Sequence, residues 1–141
     1  MHAHGRWNGR YETVLDDGRG HGVTVDLTRP DGGGDAGASA LELSVLSLAG
    51  CITTVFALVA EKRRLKFDAL TIDLDATRPH GAPTITSVDG VLRITTSASR
   101  ADVQTALDLT LRTCPAGVMY ERAGIPVRLR TILTASGSRR S

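Results

Sequence analysis

The sequence predicts an α+β fold, and three observations carry that reading. Several short segments alternate apolar and polar residues, as in HGVTVDLT, ALTIDLDAT and IPVRLRTILT, which is the period of half-buried strands. One long segment between residues 39 and 65 is apolar at helical spacing. The strand candidates come in pairs instead of alternating singly with helices, which argues against a doubly wound sheet. At 141 residues, 41% hydrophobic and 23% charged, the chain has the size and apolar content of one ordinary domain, and it is not disordered as a whole.

The elements follow in chain order. Arg6 to Leu15 reads as a strand, Asp16-Asp17-Gly18 as a turn, and His21 to Thr28 as a second strand with Val23, Val25 and Leu27 on one face. Arg29 to Gly37 (RPDGGGDAG) is Gly-rich and polar and is expected to be a mobile loop. Ser39 to Leu65 is the main helix, with Ser39 as N-cap and Glu42 as its capping-box partner. It is apolar almost all round, so it is expected to be buried on most sides, in a core or against a partner chain. Ala69 to Thr77 is a strand, and Ile85 to Thr96 is a strand or a pair, with Asp89-Gly90 as a bulge or tight turn. Arg100 to Thr113 and Ala116 to Ala123 read as helices, Gly124 as a stop, and Ile125 to Thr134 as the last strand. The order is β-β-α-β-β-α-α-β. Residues 1–5 are expected to be a disordered end, 6–134 a single domain and 135–141 a flexible tail.

Seventeen basic and fifteen acidic residues give a formal charge of +2, too balanced to require a nucleic-acid or membrane partner. No stretch of about 18 uninterrupted apolar residues suggests a membrane span. The start, MHAHGRWNGR, lacks the apolar run of a secretory leader, so the expected setting is a reducing cytoplasm. No CxxC, phosphate-binding loop or closely spaced His ligands occur, so no metal or nucleotide cofactor is expected.

Two cysteines remain, Cys51 in the apolar helix and Cys114 at a helix break. A free cysteine is often simply a small buried hydrophobe. Pro115, however, suits the first position of a helix, which places Cys114 at an N-cap, where free N–H groups favour a thiolate. Around Cys51, Ser47, Thr53 and Thr54 offer hydroxyls that either reach the sulfur or bond their own backbone. No cation lies within one helical turn of Cys51, so an activating arginine must come from elsewhere.

ELSVLSLAGC (residues 42 to 51) and CPAGVMYERAGIPV (114 to 127) resemble the two cysteine segments of the OsmC/Ohr family, the osmotically inducible protein C and organic hydroperoxide resistance proteins. GHGVTVDL, at residues 20–27, looks like a divergent OsmC-like branch. The resemblance implies an OsmC-like fold of antiparallel sheets with a long buried central helix, in an intertwined homodimer. It also implies a thiol peroxidase acting on organic, and by extension hydrogen, peroxides without a cofactor. Cys51 would be the attacking thiolate and Cys114 its disulfide partner, with a lipoyl-type dithiol as reductant. The family's glutamate falls on Glu42. Its arginine falls on Arg19, with Arg29, Arg6 and Arg10 as alternatives. Nine residues at about 100° each put Glu42 and Cys51 on opposite sides of a straight helix, ~13 Å apart along the axis. Sharing one site therefore needs a bend near Gly50 or an arginine reaching across.

Three rivals differ in class. The first is an OsmC-fold redox sensor, or a binder of apolar small molecules, without peroxidase turnover. The second is a metal protein using the cysteines with His21 or His80. The third is a nucleic-acid module built on Arg63, Arg64, Arg128, Arg130, Arg139 and Arg140. With 4% aromatic residues, stacking platforms for bases are scarce.

Overall fold

In the computed structural model, which describes residues 1–137, the order is β1 (His4–Gly9), β2 (Glu12–Asp16), β3 (Gly22–Val25), α1 (Ala40–Lys62), β4 (Ala69–Thr77), β5 (Ser87–Thr96), α2 (Arg100–Thr113), α3 (Pro115–Arg122) and β6 (Val127–Ala135). The class is α+β, as expected. The residues divide into two units, Met1–Leu46 and the segment from Ser47 onward. Residues 138–141, part of the expected tail with Arg139 and Arg140, lie outside the described residues.

The first unit holds the sheet β1-β2-β3, antiparallel throughout. The stretch read as one strand, Arg6 to Leu15, is two strands joined by a tight turn. Gly9 and Arg10 take φ of 121° and 49° there, and Trp7 Nε1 donates to the Arg10 carbonyl at 3.0 Å. The turn residues are Arg10-Tyr11, between the paired Gly9 and Glu12, so the Asn8-Gly9 pair ends β1 instead of forming the turn, and no ordinary turn residue marks the break. β1 begins at His4, inside the segment expected to fray.

The Gly-rich loop is a packed feature. Asp26, 5% exposed, accepts N–H bonds from Leu27 (2.8 Å), Gly34 (2.9 Å) and Ala36 (3.2 Å). The amides of Gly33 and Asp35 donate to the carbonyls of Thr28 and Leu27. Gly33 and Gly37 lie so close to the Leu27 and Thr24 carbonyls that a Cβ would collide with them. Here the glycines permit close backbone approach instead of motion.

The second unit is built on the sheet β4-β5-β6. β5 is one continuous strand, without a turn at Asp89-Gly90. It pairs antiparallel with β4 and parallel with β6, so the expectation of antiparallel sheets is corrected here. The 30-residue connection carrying α2 and α3 is long enough for a parallel return. A Cβ on Gly90 would meet Leu74 Cδ2 at 2.5 Å and Leu129 Cδ2 at 2.8 Å, so this glycine serves packing between the flanking strands.

α1 starts from the predicted cap: the Ser39 N–H donates to Glu42 Oε2 at 2.7 Å, and the Glu42 N–H to Ser39 Oγ at 3.3 Å. Its buried residues are Leu48, Ile52, Phe56 and Ala60, a single stripe at i, i+4 spacing. Phe56 and Ala60 join Leu92, Ile94, Val103, Ala106 and Leu107 in the core of the second unit. The helix is therefore buried along one side only within the chain, and Leu46 (59%) and Leu58 (51%) stay exposed. By length and composition it is long and apolar enough to cross a membrane, with mean hydropathy 2.2. The polar interruptions that argued against a span, such as Ser47 and Thr53, leave that average high.

Candidate active site

Cys51 lies midway along α1, one residue before the buried Ile52. Cys114 is the single residue between α2 and α3 and serves both. Its N–H closes α2 on the Thr110 carbonyl at 2.7 Å, and its side chain caps α3. Pro115 occupies the first helical position, where its missing N–H costs no bond. Cys114 Sγ accepts the Gly117 N–H at 3.4 Å, which is the N-cap geometry expected from Cys114-Pro115.

The two sulfurs, 63 residues apart in sequence, stand 2.8 Å apart, with the Cys114 S–H donating to Cys51 Sγ. Both cysteines are free thiols. A disulfide bond is about 2.05 Å long, so closing the pair takes a shift of roughly 0.8 Å. The two surroundings differ. Cys114 is fully buried and Cys51 half-buried. Burial, reinforced by the neighbouring Cys51, pushes the Cys114 thiol up from 9.0 to about 11, while the Gly117 N–H acts in the opposite direction. The N-cap effect anticipated from sequence is thus present but outweighed by desolvation. Of the hydroxyls near Cys51, Thr53 bonds back to the Ala49 and Gly50 carbonyls at 3.1 and 3.0 Å, the ordinary habit of a helical threonine.

Glu42 and Arg19 are engaged locally. Glu42 is the capping-box partner of Ser39, and those bonds hold its carboxyl below the usual range. Arg19 is exposed and grips Asp17 through Nε (2.9 Å) and Nη2 (2.8 Å). His21 Nδ1 lies 2.8 Å from the same carboxylate, which is lowered to about 2, mainly by the His21 contact. Among the described residues no ion pair joins Glu42 to an arginine, and no group of three or more His, Cys, Asp or Glu could hold a metal ion. Gly117 is the site residue that sequence reading missed. The signal was available, because an N-cap at 114 makes residue 117 the donor. Gly117 also borders a cavity of about 460 Å³, whose other walls include Leu111, Arg112, Glu121, Ile125 and Val127.

A sequence model of the family described as OsmC-like protein matches residues 32–130. No curated protein matches the chain in sequence. Among solved structures, an OsmC-like protein from Mycoplasma pneumoniae is 14% identical, with a TM-score of 0.83 over 94% of this chain and 95% of that one. An organic hydroperoxide resistance protein OsmC from Legionella pneumophila is 15% identical, with a TM-score of 0.70 over 96% and 95%. One from Elizabethkingia anophelis, an organic hydroperoxide resistance protein, is 18% identical, with a TM-score of 0.73 over 97% and 95%. At these identities the likeness is one of fold.

Proposed function

From the premise that the chain belongs to the OsmC-like protein family, we propose that it is a two-cysteine thiol peroxidase that reduces organic hydroperoxides. The observation that carries this reading is the 2.8 Å separation of the two free sulfurs. The half-buried Cys51 attacks the peroxide and becomes a sulfenic acid, with release of the alcohol. Cys114, whose proton is held by burial, then condenses with it to a disulfide, with loss of water. A lipoyl-type dithiol restores both thiols by exchange. The setting proposed is a reducing cytoplasm and the active species a homodimer, since one side of α1 is apolar and uncovered. An activating pair of Arg19 and Glu42 belongs to the same reading. It requires each to exchange its present partner, Asp17 or Ser39, for the other.

The test is consumption of an organic hydroperoxide with a lipoyl dithiol by the wild type, Cys51→Ser and Cys114→Ser. The expected result is turnover in the wild type and none in Cys51→Ser. Oxidised wild type should weigh two hydrogens less than the dithiol, and neither variant should show that internal loss. Inert thiols in the wild type would replace this reading with that of a small-molecule binder.

A further inference from the structure

We propose that the backbone N–H of Gly117 is a positioning group for the second sulfur, holding Cys114 Sγ against Cys51 and stabilising the charge that Cys114 develops as it attacks. The inference rests on the peroxidase reading above.

The first turn of α3 leaves its early N–H groups without helical acceptors. The helical bonds begin with the Val118 N–H on the Cys114 carbonyl at 2.9 Å. The Gly117 N–H, one residue earlier, points to Cys114 Sγ at 3.4 Å. Cys51 Sγ stands 2.8 Å from the same sulfur. Cys114 is 0% exposed, so solvent cannot stabilise charge on it, and a protein donor must. Burial sets the direction of its ionisation, and the Gly117 N–H is the largest influence opposing it.

The Cys114 sulfur pair attacks the sulfenic sulfur of Cys51, the S–S bond forms and the S–O bond breaks. The Cys114 proton leaves with the hydroxyl as water. The oxidising equivalents came from the hydroperoxide in the preceding step. Negative charge builds on Cys114 as its proton departs, and a hydrogen bond to a charged acceptor is stronger than one to a neutral thiol. The Gly117 N–H therefore contributes more at the transition state than in the resting pair.

An amide-to-ester replacement at position 117 deletes the donor without adding bulk and without removing an intrahelical bond, since it lies in the first turn. A proline ring there would instead be driven into Cys114 Sγ, at which the N–H points. Gly117→Ala keeps the donor, and its methyl would sit 3.5 Å from Cys114 Cβ and 3.6 Å from Sγ, ordinary contact distances. Each protein is mixed with one equivalent of an organic hydroperoxide, and sulfenic acid and disulfide are followed by trapping and intact mass. With the ester, sulfenic acid forms at the wild-type rate. Its conversion to disulfide slows about tenfold, the effect of losing one hydrogen bond to a charged group. The pH profile of that conversion moves to higher pH, and Gly117→Ala behaves as wild type. Separately, the ultraviolet thiolate absorbance of Cys114 is titrated in a Cys51→Ser background, where the ester raises the midpoint. Unchanged conversion and an unchanged midpoint overturn the proposal. A wild type that never forms sulfenic acid overturns the peroxidase reading instead, and the titration still decides the role of Gly117.

Discussion

Cys51 and Cys114 carry the same side chain in different surroundings, and that difference predicts their reactivity. Cys114 is fully buried with its thiol raised to about 11, and Cys51 is half-buried. Iodoacetamide at pH 8 should therefore label Cys51 well before Cys114, as read by peptide mapping; equal labelling would contradict the arrangement. The raised thiol also fixes a sign for stability. Cys114 is protonated in both states below about pH 9, so its contribution is fully present there. It is lost as pH rises towards 11, because the unfolded thiol ionises first. Cys114→Ala should flatten that alkaline decline in urea-unfolding midpoints, whatever it does to stability at neutral pH. At Glu42, glutamine can replace glutamate in a capping box. Glu42→Gln should therefore unfold close to the wild-type temperature, whereas Ser39→Ala should cost about 1 kcal/mol. A large loss of peroxidase activity in Glu42→Gln at unchanged stability would assign its charge to the chemistry.

Among the elements, the loop from Arg29 to Gly37 depends most on one side chain. Protonation or neutralisation of Asp26 weakens its acceptance of the Gly34 and Ala36 N–H groups. Those bonds, Ala36 first, hold the carboxyl below its ordinary value, so the anchor is intact above about pH 4 and loosens only in stronger acid. Asp26→Asn should speed hydrogen exchange at Gly34 and Ala36 at neutral pH while leaving β4 and β5 protected. The same loop shows where sequence reading stopped. Its composition signalled freedom, but Gly33 and Gly37 are small because carbonyls crowd them. Gly90 misled in the same way: Asp89-Gly90 has turn chemistry, yet Leu74 and Leu129 close over it within a continuous strand. Gly90→Ala should overpack the sheet and cost about 1–3 kcal/mol by urea unfolding. By contrast, α1, α2, α3 and β4 were legible because cap, period and stop residues agree. The Ser39–Glu42 and Cys114–Pro115 signatures both formed the bonds they imply. The parallel pairing of β6 was hidden, because alternation reports which face is buried and not which way a neighbour runs. The 2.8 Å meeting of the sulfurs was hidden too, since two positions 63 residues apart carry no mutual signal in one sequence.

For the molecule as a whole, the composition of α1 calls for a cover beyond the chain's own core. Periodicity read it as apolar all round, but the chain fully buries only the stripe of Leu48, Ile52, Phe56 and Ala60. Leu46 and Leu58 remain more than half exposed, and Gly50, Thr54 and Ala57 are exposed on the same helix. Each fully buried leucine contributes about 1.5–3 kcal/mol, so leaving such a helix in water forfeits a large share of a domain's net stability. A second copy of the chain is the cover we propose. Stable dimers bury apolar surface in this way, and their unfolding temperature rises with protein concentration. Sedimentation equilibrium at micromolar concentration should give twice the chain mass. Leu58→Glu would place a charge in the contact, and it should dissociate the dimer and lower the unfolding midpoint together. Because Cys51 shares α1 with Leu58, peroxidase activity should fall on dissociation, as one wall of the site is opened to water. A wild-type chain that sediments as a monomer, with a melting temperature independent of concentration, would remove the partner. The exposed side of α1 would then need another apolar cover to account for its composition.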